Sequence, residues 1–340
     1  MSRSIAHPST FRSWAHGGDI ETAVVSMYSA HPSPSRRDKL EFASRRMALR
    51  LYCCGIDADD YVGRNVLDAG CGTGEYACWF AAHGSQVTGI DLSDGSLSEA
   101  RAYARQEGLR NVVFETRSVL DTRLPSDSYD LVYCTGVLHH IENSYSGLRE
   151  LTRVLRPGGK ILISLYNAVG FLPREARRRI ARRLGGKDLK RRVIWGQRLF
   201  PLLSRRLTRA SLNDPASALY DYFAIPHQSL HTIGQVLKWF DRLGLEYLGS
   251  FPPAVPLDYP AMLTHESFSS VDEEYRRPLV RLAAKMSPGG ALQRRRPGLS
   301  SRAAIQLLWL ATGVDIWSTA GRKDVGGPAL AAGRGSSSTR

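Results

Sequence analysis

Three glycines at alternate positions, Gly70, Gly72 and Gly74, stand directly behind an apolar run that ends at Asp68 in "VLDAGCGTG". Glycine at such a turn lets the backbone reverse tightly and lets a ligand approach without a Cβ in the way. A helix starting there offers free N–H groups and a partial positive charge. A dinucleotide site asks for G-x-G-x-x-G, whereas this chain has G-x-G-x-G. A carboxylate at Asp68 would repel a pyrophosphate and suits a cationic ammonium instead. Asp91 ends the next apolar run, 17 residues after Gly74, where a carboxylate holds both hydroxyls of a ribose.

Such residues need a scaffold that gathers strand ends. From Arg64 to Tyr166 the sequence alternates strands at 65–70, 86–93, 111–116, 129–134 and 160–166 with helices at 75–84, 96–108 and 143–155. "RPGG" at 156–159 reads as a turn. This alternation implies right-handed crossovers and a parallel sheet covered on both faces. The pattern breaks over 167–229, which is basic and helix-prone. It resumes with a helix at 231–244, apolar on the face of Ile233, Val236, Leu237 and Phe240, and a strand at 245–251. A last strand is expected near 314–320. The expected organisation is an N-terminal arm over 1–63, a ligand-binding core over 64–167 and a basic helical cap over 168–230. The core continues over 231–251, interrupted by a second insertion over 252–304, and ends with the last strand region over 305–323. A disordered low-complexity tail covers 324–340.

A ribose and an ammonium without a diphosphate are the features of S-adenosylmethionine. "VLDAGCGTG", "VTGIDLS", "YDLVYCTGVLHHI" and "LRPGGKILISLYN", in that order, resemble the successive motifs of class I S-adenosylmethionine-dependent methyltransferases over roughly 64–167. Residues 231–251 and 314–323 are similar to the last helix and two strands of that family. The resemblance implies a Rossmann-like, doubly wound α/β fold, with a mostly parallel seven-stranded sheet, an antiparallel last strand and helical insertions. It implies S-adenosylmethionine as cofactor, with Asp68, Gly70, Gly72 and Gly74 around its methionine portion. Asp91 would meet its ribose and Leu92 its adenine. Ser118, Val119, Cys134 and His139 are further implied contacts. The family's usual acid for the adenine amine is absent. Ser118 stands near that position and Asp121 slightly beyond, and a serine hydroxyl still makes a hydrogen bond.

Methyl transfer needs in-line alignment and a dry site more than an acid or base. Where the acceptor is a hydroxyl, a His or carboxylate takes its proton. His140 is the candidate base or substrate contact; in the plainer reading His139 and His140 only shape the loop beside the cofactor. Tyr166 offers a ring face to a sulfonium and Asn167 a contact to the acceptor or the cofactor's amino-acid end, or both merely end a strand. In "LYDYFAIPHQSLHT" (219–232), Tyr222, His227 or His231 reach the substrate. Alternatively Tyr220 and Phe223 pack as core and His231 or Thr232 caps the helix. Tyr28 and His31 are lid candidates by analogy. The expected function is methyl transfer to a small molecule. One alternative closes a small ring within the cofactor and releases methylthioadenosine, favoured by an aromatic rim of Tyr28, Tyr166 and Tyr222. The other is a non-catalytic module working through a basic surface.

The net charge is +14, and residues 174–209 hold 14 Lys and Arg against only Glu175 and Asp188, so one segment carries most of it. Only 7 of the 46 basic residues are Lys, an Arg bias that genome composition also produces. The insertion reads as a cap with an Arg-rich outer side, or as a membrane-surface element whose Ile180, Leu184, Val193, Ile194, Trp195, Leu199 and Phe200 meet lipid while its arginines meet headgroups. A third reading grips phosphate on RNA or on a carrier protein's prosthetic arm. Oligomeric state stays open. No run approaches ~18 apolar residues, the first residues lack an apolar signal segment, and the five cysteines show no C-x-x-C spacing. A cytoplasmic protein with reduced thiols and no metal centre is expected.

Overall fold

The computed structural model describes residues 18–30, 39–210, 215–264 and 292–325. Among these, seven strands form one sheet: β1 (Asn65–Ala69), β2 (Gln86–Asp91), β3 (Val112–Thr116), β4 (Tyr129–Cys134), β5 (Leu155–Tyr166), β6 (Leu245–Phe251) and β7 (Ile316–Lys323). Their order is β3-β2-β1-β4-β5-β7-β6. β1 to β5 are parallel, and β7 lies antiparallel between β5 and β6. This is the doubly wound, mostly parallel sheet with an antiparallel last strand that the motifs imply. Both faces of β1 and β4 are covered, so they read as nearly continuous apolar runs. Val66, Leu67, Ala69, Leu131, Val132, Tyr133 and Cys134 are all buried.

Strand order reverses between β1 and β4, and the ligand crevice of such a sheet opens beyond the carboxyl ends at that switch point. The helices α3 (Glu75–Ala82), α4 (Asp94–Gln106) and α5 (Ser144–Val154) make the crossovers. Ser93 caps α4 by accepting from the Ser96 amide at 3.2 Å, which fixes the turn after β2. α10 (Ile233–Leu243) buries Ile233, Val236, Leu237 and Phe240 and ends at Gly244 in the left-handed conformation. Its cap is Thr232, whose hydroxyl accepts from the Gln235 amide at 3.2 Å.

Two local expectations change. The "RPGG" segment does not separate a helix from a strand. It lies within β5, where pairing with β4 shifts register between Tyr129 and Leu131 and Gly158 adopts φ +78°. The last strand starts at Ile316, later than 314, because a helix at Leu299–Thr312 runs on to Gly313.

The N-terminal region contains α1 (Gly18–Ala30) and α2 (Lys39–Cys53). The basic insertion folds as α6 (Leu172–Gly185), α7 (Leu189–Leu199), α8 (Pro201–Ala210) and α9 (Pro215–Phe223). It has its own small core of Ala181, Val193, Leu219, Tyr222, Phe223 and Ala224, with Phe200 packed against it. Ile180, Leu184 and Leu199 are exposed. No helix among the described residues is long and apolar enough to cross a membrane. All five cysteines are buried and free. His31, residues 265–291 of the second insertion and residues 326–340 of the tail lie outside the described residues.

Candidate functional site

The turns after β1 and β4 face each other across a cleft of about 260 Å³ at the switch point. Thr135, Gly136 and Val137 form one wall, and Gly70 to Thr73 the other. α1 lies over the opening and lines it with Glu21, Val24, Val25 and Tyr28. Its Ile20 and Met27 are buried, so the helix is packed in place.

The glycines divide their work. Gly70 has φ +77°, and a Cβ there would fall 2.1 Å from Val137 Cγ2; bare backbone lets the two turns touch. Gly72 has φ +52° with nothing among the described residues within 4 Å of a would-be Cβ, leaving its face open to the cleft that it lines. Gly74 does not line the cleft. A Cβ there would meet Ala100 Cβ at 2.8 Å, so it serves the packing of α3 on α4. Asp91 lines the cleft with Leu92. Its Oδ2 accepts from the Gly72 amide at 3.0 Å and its Oδ1 from the Ser93 amide at 2.9 Å. Burial raises its pKa, and these amides oppose the rise.

Asp68 sits beneath the glycine turn without lining the cleft, 2 % exposed. Its Oδ2 has no hydrogen-bond partner among the described residues. Burial, then the nearby Glu75 carboxylate, push its pKa up to about 8. Held dry with one oxygen unpaired, the carboxyl keeps its proton at pH 7, and a cation brought beside it would favour the carboxylate.

A group of titratable side chains closes the other end. His140 lines the cleft, and its Nδ1 lies 3.0 Å from the His227 carbonyl oxygen. A carbonyl only accepts, so Nδ1 carries the proton and Nε2 keeps its lone pair. Burial pushes the ring's pKa down to about 4, so it is neutral at pH 7. The Tyr28 oxygen lies 3.4 Å from Nε2, and the Tyr28 hydroxyl donates to Asp221 Oδ1 at 3.2 Å. Burial, then Asp221, raise the Tyr28 pKa well above its ordinary value. Arg174 holds Asp221 at 3.0 Å and Asp315 at 3.2 Å. Thus α1, the loop after β4, α6, α9 and the start of β7 meet in one polar chain.

Of the expected site residues, Gly70, Gly72, Asp91, Leu92, Val119 and His140 line the cleft. The others do not, each for a local reason. Ser118 spends its hydroxyl on Glu21 Oε1, donating at 2.9 Å, and its neighbours Arg117 and Val119 line the cleft in its place. Asp121 pairs with Arg123 at the surface. Cys134 is wholly buried, and burial pushes its thiol pKa up. His139 is also wholly buried, its ring 3.8 Å from that of Tyr166, and burial drives its pKa well below the ordinary range. Tyr166 packs with Phe171 and Leu230. The Asn167 Oδ1 accepts from the Val169 and Gly170 amides at 2.8 and 2.9 Å, which makes it a turn former. Tyr222 belongs to the core of the insertion and accepts from Arg177 at 3.1 Å.

Arg117, Glu75, Tyr76 and Asp221 were not among the expected contacts. Asp221 precedes Tyr222 on α9, and consecutive helical residues point about 100° apart, so one meets Tyr28 while the other packs inward. The density of Tyr, Asp and His in that stretch was the only sequence signal.

Residues 67–163 match the family described as a methyltransferase domain. The chain is 36 % identical over 139 residues to methyltransferase GfsG of Streptomyces halstedii, covering 40 % of this chain and 49 % of that protein. It is 34 % identical over 105 residues to the ubiquinone biosynthesis O-methyltransferase of Aeromonas salmonicida, covering 31 % and 44 %. It thus spans about half the length of these curated relatives. In structure it is similar to PKMT2 from Rickettsia typhi in complex with AdoHcy, with TM-score 0.53, 16 % identity, and coverage of 87 % of this chain and 55 % of that one. That likeness extends the shared fold well beyond the matched segment.

Proposed function

We propose that this chain, a member of the class I S-adenosylmethionine-dependent methyltransferase family, methylates a hydroxyl of a small molecule and that His140 takes the hydroxyl proton. The residues of the cleft fit the family's cofactor. Gly72 presents an open backbone face, Asp91 a carboxylate, and Leu92 and Val119 apolar contact. Beneath the turn, Asp68 keeps one oxygen without a partner among the described residues, and a cationic ammonium beside it would draw off its proton. When bound, S-adenosylmethionine supplies a methyl carbon already activated by a sulfonium leaving group. The protein's part is then to align the acceptor, exclude water and handle one proton.

The observation that carries the reading is the Nε2 lone pair of His140 on the cleft wall, beside the Tyr28 oxygen whose proton goes to Asp221. A hydroxyl oxygen becomes strongly acidic as it gains a methyl group, so a base of low pKa suffices at that moment. The proton moves from the acceptor oxygen to Nε2. The new N–H then points at the Tyr28 oxygen 3.4 Å away, and Tyr28 already donates to Asp221. The Asp221 side chain is 40 % exposed, so the proton has a way out to water. α1 excludes solvent from above, the role that lid segments play in other enzymes. Relatives named as O-methyltransferases support oxygen as the methylated atom.

The ring-closing alternative gains nothing from the geometry. Of the three tyrosines that would form its aromatic rim, only Tyr28 lines the cleft. The test of the reading is His140→Gln. Release of S-adenosylhomocysteine with a panel of simple phenols and catechols should fall by about 100-fold or more, with cofactor affinity unchanged. Equal rates would remove His140 from the proton transfer.

A further inference from the structure

A second, smaller cleft of about 30 Å³ lies inside the basic insertion, bounded by Glu175, Arg178, Arg182, Arg192, His227 and Gln228. By volume it takes roughly two waters or one compact ion. Arg178 is 7 % exposed and Arg192 5 %. Only Nη2 of Arg178 has a partner among the described residues, the Ile225 carbonyl at 2.9 Å. Its Nε and Nη1 are buried with none. Arg192 gives its Nε to the Gly186 carbonyl at 2.8 Å. It comes this close because Gly185 lacks a Cβ, which would fall 2.6 Å from the Arg192 amide nitrogen.

The charges at this cleft do not balance. Three guanidinium groups bound it with one carboxylate. Glu175 is already engaged, by Arg179 at 3.0 Å and by the Gln228 amide at 2.8 Å. Burial and the adjacent Arg174 cation push the Arg178 pKa down to about 10; burial and Arg182 lower that of Arg192. Buried cations with unpaired donors call for an anion. One more atom narrows its kind. The Gln228 Oε1 is buried without a donor among the described residues, so the occupant must both accept from Arg178 and donate one hydrogen bond.

We propose that this cleft is a binding site for hydrogen phosphate, an oxyanion that carries its own O–H. Its oxygens accept from Arg178 Nε and Nη1, and its hydroxyl donates to Gln228 Oε1. Sulfate, with the same shape and no proton, leaves Gln228 unpaired and binds about tenfold more weakly or worse. The site lies in the insertion, and its wall shares His227, whose carbonyl sets the His140 proton. Occupancy therefore steadies residues 225–228 without entering the reaction.

The test is thermal denaturation of the full chain with inorganic phosphate, sulfate or phenyl phosphate, with chloride holding the ionic strength constant. Phosphate should raise the Tm in a saturable way, by more than sulfate at equal concentration. Arg178→Met, and independently the half-buried Arg182→Gln, should abolish the rise. S-adenosylmethionine affinity of both variants reports that the rest of the chain is folded. A matching rise with phenyl phosphate assigns the site to a phosphorylated ligand, and a rise with the free ion alone assigns it to inorganic phosphate. No rise, an equal rise with sulfate, or a rise that survives in folded Arg178→Met and Arg182→Gln overturns the proposal. None of these readouts depends on methyl transfer.

Discussion

His140 donates its Nδ1 proton to the carbonyl oxygen of His227 across 3.0 Å. That bond ties the loop after β4 to the segment after α9, and it decides which ring nitrogen faces the cleft with a lone pair. With His139 and His231 it places three histidines, each at most 5 % exposed, within one connected region.

Burial holds all three below their ordinary pKa, His140 and His231 at about 4 and His139 well below its ordinary value. A histidine whose folded pKa is depressed refuses a proton that the unfolded chain binds. Its cost is absent above about pH 6.5 and grows as pH falls toward the folded pKa, by about 1.4 kcal/mol per unit for each group. Asp68, raised to about 8, acts in the opposite sense, since the folded state keeps its proton to higher pH. Two groups' worth of the effect remains. Stability should drop by about 2–4 kcal/mol between pH 6.5 and 5, measured by denaturant titration. His140→Gln should make that slope shallower.

Gly70→Ala and Gly72→Ala should fail in different ways. At Gly70 the new methyl would overlap Val137, costing about 2–4 kcal/mol from overpacking and left-handed strain together. At Gly72 there is room, so the cost is about 1–2 kcal/mol of strain. The methyl then occupies the cleft, and S-adenosylmethionine affinity should fall at least about tenfold. Calorimetry and thermal melts on the two variants separate the effects.

Asp91→Asn retains one oxygen to accept a backbone amide but loses the carboxylate offered to the ribose. Its S-adenosylmethionine Kd should rise by about 10–100-fold, the equivalent of roughly 1.4–3 kcal/mol for hydrogen bonds to a charged group. An unchanged Kd would contradict the ribose assignment.

Tyr28→Phe and Asp221→Asn interrupt the path from His140 to solvent while leaving the glycine turn untouched. Each should lower kcat about tenfold on the fastest phenol of the panel, with the cofactor Kd within about threefold. Loss of affinity with kcat preserved would make Tyr28 a lid contact only.

Gly70, Gly72, Asp91 and His140, which line the cleft, were legible because a parallel sheet forces its ligand to the carboxyl ends of its strands, and the apolar runs mark those ends. Tyr166, Asn167 and Tyr222 do not line the cleft, for one shared reason. Closeness to a strand or helix end says nothing about the side a residue faces, and tertiary packing chose the inward side for all three. α1 left a weaker trace still, since its fixing to Ser118 through Glu21 and to Asp221 through Tyr28 spans 97 and 193 residues.

The most direct test of the account is to incubate the purified chain with S-adenosylmethionine alone and identify what is bound and what is released by mass spectrometry. S-adenosylmethionine should be recovered intact from the protein, waiting for an acceptor. Methylthioadenosine released at catalytic rates would contradict methyl transfer, and protein recovered without S-adenosylmethionine would contradict the cleft as its site.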